Sequence, residues 1–157
     1  MPELRLTSPA FREGERIPIQ HTGRGADQSP ELRLEGLSEK AAALAVILVD
    51  ASHPIHNYAH WLIWNLPPLE VIPAAIPAGA QLEALGGAVQ GMAYGRNRYR
   101  GPKPPLNWNH SYVFTVYVLD SRCPLRPNAR KRDLLKWMDG HILQEASLSG
   151  TFQNGAL

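Results

Sequence analysis

The chain has 157 residues, with 44% hydrophobic and 19% charged side chains, a formal net charge of +2 and one cysteine. That length fits one domain spanning 1–157, and the composition is that of an ordinary globule, not a disordered tail. A near-neutral balance whose only dense basic run is Arg130-Lys131-Arg132 argues against a nucleic-acid partner, and the run reads as a solvated first turn of a helix. A lone Cys123 excludes an intrachain disulfide and a cysteine-based zinc site.

The N-terminus, Met-Pro-Glu-Leu-Arg-Leu, has no apolar signal core, and no apolar run approaches the ~20 residues of a transmembrane segment. The expected location is cytoplasmic. Fourteen prolines and thirteen glycines punctuate the chain too often for long helices and favour short strands joined by structured loops.

Leu4 to Thr7 alternates apolar and polar residues as a half-buried strand does, and Phe11 is placed to plug a core. Ile17 and Ile19 flank Pro18, which predicts an edge strand, and His21 to Gly25 reads as a flexible turn. Glu31 to Glu35 alternates again. Ala41 to Val49 is nearly all apolar and predicts a central strand covered on both faces. Tyr58 to Leu66 predicts a second core strand, and residues 67 to 101 read as one long loop. The 67–98 part of that loop is the candidate surface for a homodimer. Ser111 to Leu119 is a third strong strand.

After Pro127, Asn128 is the expected N-cap of a helix carrying Leu134, Leu135, Met138, Ile142 and Leu143 at helical spacing. Gly140 predicts a break or bend there, and Ser147 to Phe152 reads as a closing strand.

Two strand-and-loop cassettes carry the chemistry. One runs from Asp50 through Pro54 to Tyr58 and His60; the other runs from Tyr99 through Gly101-Pro102 and Pro104-Pro105 to His110 and Tyr112. If the loops fold toward each other, Asp50, His60 and His110 lie at the floor of one pocket. Four readings compete. Two imidazoles and a carboxylate suit a transition metal, but they are scattered singly, without a recognised ligand spacing. A hydrolase would use Ser52, or less well Ser111, as nucleophile, yet neither serine sits in a Gly-x-Ser-x-Gly elbow.

In the third reading, an anion pocket, either imidazole can donate to a phosphate oxygen and Asp50 orients one ring, while Gly101 and Lys103 offer backbone N–H groups. The prolines stiffen the wall, and Tyr58 and Tyr112 flank it. In the fourth, the histidines are core residues satisfied by neighbouring carbonyls. Two histidines in similar strand–loop contexts favour the pocket.

Ser8-Pro9-Ala10-Phe11 with Gly14 and Ile17-Pro18, Ser29-Pro30-Glu31-Leu32, Asp50 with Pro54, and His60-Trp61 with Trp64-Asn65 form an ordered series of short motifs. It continues with Tyr99-x-Gly101-Pro102-x-Pro104-Pro105, His110-x-Tyr112, Tyr117-x-Leu119-Asp120, Gly140-His141-Ile142-Leu143 and Gly150-Thr151-Phe152. Covering nearly the whole chain, the series resembles the phosphatidylethanolamine-binding proteins, which include Raf kinase inhibitor protein, and most resembles their bacterial branch.

The resemblance implies a mainly β fold of two antiparallel Greek-key sheets with a few short peripheral helices, one near the C-terminus. It implies no enzymatic activity and no cofactor, but a pocket for a small anionic or phosphorylated ligand such as a lipid head group. Carried onto this chain, that pocket comprises Asp50, Pro54, Tyr58, His60, Gly101, Pro102, His110 and Tyr112, with Ser52 at the position of a second family carboxylate. It also implies a cis His53–Pro54 bond and allows a protein partner, a kinase or a protease, in a regulatory or inhibitory role.

This chain departs from the family pattern at several positions. Ser52 replaces a carboxylate, His53 and Lys103 add cationic character, Ser111 replaces an arginine, and Leu106 to Asn109 lacks the usual glycines. These changes are expected to make the pocket more attractive to anions.

Overall fold

The computed structural model describes residues 3–105 and 107–154. Its elements in chain order are β1 (Arg5–Thr7), β2 (Leu32–Glu35), β3 (Ala43–Asp50), β4 (Tyr58–Leu66), β5 (Val71–Ile72), β6 (Gln81–Leu82), β7 (Ala88–Gln90), β8 (Asn109–Leu119), α1 (Lys131–Met138) and β9 (Ile142–Gln153). Short 3-10 turns span Ile19–His21 and Glu83–Leu85. The strands form two antiparallel sheets, a small one in the order β1-β2-β5 and a large one in the order β6-β7-β4-β3-β8-β9. The mainly β class with two antiparallel sheets matches the sequence expectation.

Side-chain alternation along the strands explains how the layers pack. Leu44, Val46 and Leu48 of β3 join Trp61, Ile63, Phe114 and Val116 in the core facing the small sheet, which contributes Leu6, Leu32, Leu34 and Ile72. The intervening Ala45 and Ile47 turn to the other face and pack with Leu62, Trp64, Leu134 and Met138 beneath α1. The central strand β3 is therefore covered on both faces, which is why its sequence is almost unbroken apolar. Phe11 plugs the first core, as expected.

Four expectations fail, each for a local reason. Ile17 is buried but Ile19 begins a 3-10 turn, because the chain bends at Pro18 and does not run on as an edge strand. The 67–101 segment is not one loop: it contains β5, β6 and β7, strands of two or three residues held by their partners. The helix begins at Lys131 with Arg130 as its N-cap, not Asn128, and Asp133 accepts the Arg130 N–H at 2.9 Å. It ends at Met138, and Gly140 at φ +89° sends the chain into β9, so Ile142 and Leu143 belong to a strand, not to the helix.

Candidate functional site

Three neighbouring strands of the large sheet deliver the candidate residues to one end. Asp50, the last residue of β3, sits opposite Tyr58 of β4 on one side and Tyr112 of β8 on the other. His110 lies two residues from Tyr112, on the same face of β8. His60 reaches the group by another route. The β3–β4 register runs from Leu48↔Trp61 to Val49↔Ala59, which makes His60 the extra residue of a β-bulge. A bulge re-aims a side chain that regular pleating would point elsewhere. It brings the His60 ring to 5.5 Å from Tyr112 and 6.1 Å from Tyr58, edge to face with both.

The polar groups here are deeply placed: Asp50 is 2% exposed, His60 4% and His110 6%. Buried polar atoms at such depth need partners. Asp50 Oδ2 accepts from His110 Nδ1 at 2.7 Å, and its Oδ1 accepts the Ser52 N–H at 2.9 Å. His60 Nδ1 lies 2.7 Å from the carbonyl of Arg100, whose own N–H donates back to the His60 carbonyl at 3.3 Å. A carbonyl only accepts, so His60 carries its proton on Nδ1 and leaves Nε2 as the available nitrogen. His110 is likewise committed through Nδ1 to Asp50.

Neither Nε2 has a hydrogen-bond partner among the described residues. No fully buried side-chain nitrogen or oxygen there lacks one, so both Nε2 atoms reach the surface.

Burial lowers the pKa of His60 below its ordinary 6.5, outweighing the opposing pull of the Arg100 carbonyl and the Asp50 charge. Burial, and then the charge of Asp50, pushes the Tyr112 hydroxyl well above the usual tyrosine range. At neutral pH, His60 therefore offers a lone pair at Nε2 and Tyr112 keeps its proton.

The second cassette is held from behind. The Gly101 N–H donates to Asp27 Oδ1 at 2.7 Å, Pro102 accepts from the Gly23 N–H at 2.8 Å, and the Tyr99 hydroxyl donates to the His21 carbonyl at 2.6 Å. His21 and Thr22 are buried. The turn at 21–25, expected to be flexible, is thus the buttress of the proline-rich loop. The expectation that the Gly101 N–H is free for an anion is corrected, since Asp27 occupies it. Gly101 is required for another reason: a Cβ there would lie 2.1 Å from the His21 carbonyl oxygen. Pro102 is buried as a wall, and Lys103 is exposed.

The first cassette departs more from expectation. Pro54 is exposed, and no cis peptide bond occurs among the described residues, so His53–Pro54 is trans. The turn is made instead by the Ile55 N–H donating to His53 Nδ1 at 3.0 Å and by Asn57 at φ +51°. A trans bond is also the intrinsic preference of X–Pro. His53 stacks on Tyr58 with centroids 4.4 Å apart. Ser52 is exposed, and its Oγ accepts the Ser111 N–H at 2.9 Å, pinning the β3 exit to β8. Among the described residues, its hydroxyl hydrogen-bonds neither His60 nor His110. The Ser-His-Asp arrangement is not assembled, and among the described residues no three histidine, cysteine or carboxylate groups are placed to hold a metal ion.

Three aromatic and cationic neighbours were not visible as site residues. Tyr94 stands 5.0 Å from His60 and 5.3 Å from Tyr58, with the Arg100 guanidinium 4.8 Å over its face. Trp108 stacks near His110 at 6.3 Å. The signal available for Tyr94 was its turn context before Gly95; Trp108 stood beside the motif. Leu106, in the expected loop departure, lies outside the described residues.

This arrangement, two histidines and an aspartate under a proline-rich loop at the end of a β-sandwich, was compared with known proteins. The model of the phosphatidylethanolamine-binding protein family matches residues 7–153. The chain belongs to that family. A UPF0098 protein of Pyrococcus abyssi is 41% identical over 153 residues, covering 96% of this chain and 86% of the relative. One from Chlamydia muridarum is 35% identical over 156 residues, covering 96% and 99%. Relatives therefore occur in both archaea and bacteria.

The crystal structure of a phosphatidylethanolamine-binding protein homologue from Chlamydia trachomatis superposes with a TM-score of 0.82 at 31% identity, covering 97% of this chain and 98% of that one. Escherichia coli YbcL shares the fold alone, with a TM-score of 0.83 at 24% identity and coverage of 96% and 98%. No helix among the described residues is long and apolar enough to cross a membrane.

Proposed function

We propose that this family member is a non-enzymatic binding protein whose pocket, formed by Asp50, Tyr58, His60, Pro102, His110 and Tyr112, takes a small oxyanion or phosphorylated group. Its regulatory or inhibitory role would then run through a protein partner. The observation that carries the reading is the matched commitment of the two imidazoles. Each spends Nδ1 on a fixed acceptor, and each leaves Nε2 reaching the surface beside the same Tyr112 ring.

A monoprotonated phosphate group complements this pair. Its hydroxyl donates to the lone pair of neutral His60, and its charged oxygens lie toward His110 and accept from donors at the mouth. As pH falls, protonated His60 becomes a donor, which strengthens binding to an anion. The hydrolase alternative has little support, since Ser52 serves as a loop staple.

Thermal unfolding with and without inorganic phosphate tests the reading. Phosphate should raise the melting temperature, more at about pH 6 than at about pH 8, and the His60→Gln and Asp50→Asn variants should lose most of the shift. No shift in wild type, or an equal shift in both variants, overturns it.

A further inference from the structure

The wall of aromatic rings beside His60 has a second face. A cleft of about 250 Å³ lies between the Tyr94–Gly95 turn and the start of α1, lined by Tyr58, Met92, Tyr94, Arg130, Lys131 and Arg132 among others. The basic run, expected to be a solvated helix turn, thus borders a cavity. No carboxylate lines it, and among the described residues neither Arg130 nor Arg132 forms an ion pair. The nearby Asp133 turns back along the chain to accept the Arg130 N–H.

Lys131 is half-buried, and its Nζ donates to the Asn57 carbonyl, which fastens the start of α1 to the β3–β4 loop. Two ammonium protons and both guanidinium groups remain. An arginine fork is well matched to phosphate and carboxylate oxygens.

The cleft and the histidines share one wall. Tyr58 and Tyr94, edge to face with each other at 5.3 Å, both line the cleft and both contact the His60 ring, at 6.1 and 5.0 Å. A chain that crosses this pair of rings passes from an imidazole nitrogen to a guanidinium. We propose that the ligand of this protein carries two anionic groups, one held at His60 and His110 and the second in the Arg130–Arg132 cleft, with Tyr58 and Tyr94 between them. The proposal rests on the histidine pair being an anion site. It narrows the ligand class from any phosphate to molecules that carry two anionic groups, such as polyphosphates or acidic phosphorylated compounds.

Calorimetric titration with inorganic phosphate and inorganic tripolyphosphate, at one fixed salt concentration, tests it. Tripolyphosphate should bind wild type at least about tenfold more tightly than phosphate. The R130A/R132A double variant should lose that advantage while keeping phosphate affinity within about twofold. Both arginines are exposed, and circular dichroism checks that the variant is folded. The R5A/K40A variant removes equal charge from β1 and from the turn that precedes β3, and should keep the advantage.

A tripolyphosphate advantage that survives R130A/R132A, or falls equally in R5A/K40A, overturns the inference. Phosphate binding normally with no tripolyphosphate advantage overturns it alone. Absence of phosphate binding to wild type overturns the histidine reading beneath it.

Discussion

Asp50 and His110, sixty residues apart in the chain, meet through a 2.7 Å hydrogen bond between Oδ2 and Nδ1 inside the protein. The bond exists because β3 and β8 are antiparallel neighbours whose register sets Asp50 opposite Tyr112, leaving His110 one step beyond. One carboxylate serves two donors: it fixes the imidazole and caps the turn that begins at Ser52.

Asp50→Ala should therefore be costly. It orphans the buried His110 Nδ1–H, at about 1–3 kcal/mol, and releases the exposed Ser52 N–H that holds the turn. Urea denaturation should show a lower midpoint with an unchanged slope. A midpoint within error of wild type would mean that the bond is not a structural element.

His60 gives the apo protein a pH dependence of known sign. Its folded pKa is lowered from 6.5 by burial, so the unfolded chain binds the proton more readily. The resulting stability is fully present above pH 6.5 and is lost as pH falls through the lowered folded value. Across about pH 5 to about pH 8, wild type should gain stability relative to His60→Asn, which cannot titrate but places an amide N–H where Nδ1–H donates to the Arg100 carbonyl. Parallel profiles for the two proteins would contradict the assignment.

Gly101→Ala should destabilise by about 3 kcal/mol or more, because the new Cβ would collide with the backbone oxygen of His21, which cannot swing aside, and would also crowd the Asp27 carboxylate and the Tyr99 hydroxyl. Thermal unfolding reads this directly. A melting point near that of wild type would show that the 21–27 buttress is looser than its hydrogen bonds imply.

Ser52→Ala removes an exposed loop staple and nothing from the imidazoles. Phosphate affinity should stay within about twofold. If wild type hydrolysed an ester and this variant did not, the binding-only reading would fail.

Where a signal is local, the sequence announced the structure. Tyr58 to Leu66 is β4 to the residue, and the apolar run ending at Asp50 is β3 with a short trim at its start. Periodicity misled where two patterns overlapped, for Ile142 and Leu143 complete a helical spacing yet lie beyond a left-handed Gly140. Strands as short as Val71–Ile72 have no periodicity to read.

The cluster of Asp50, His60, His110 and Tyr112 was legible because its members stand at strand ends. Its fine structure was not. The bulge that turns His60 inward is a property of two strands together, and the Gly101 N–H is consumed by Asp27 from 74 residues away. Tyr94 became visible only once the Tyr94–Gly95 turn was seen folded against β4.

The most direct measurement is a nitrogen-15 spectrum of the imidazole rings during titration with inorganic phosphate. Before phosphate, His60 should show the Nδ1–H tautomer. On titration, the Nε2 resonances of His60 and His110 should shift together and saturate, while those of His21 and His141, which lie outside the cluster, stay in place. Shifts confined to His141 or His56, or no shift in either His60 or His110 at saturating phosphate, would contradict an anion pocket built on these two histidines.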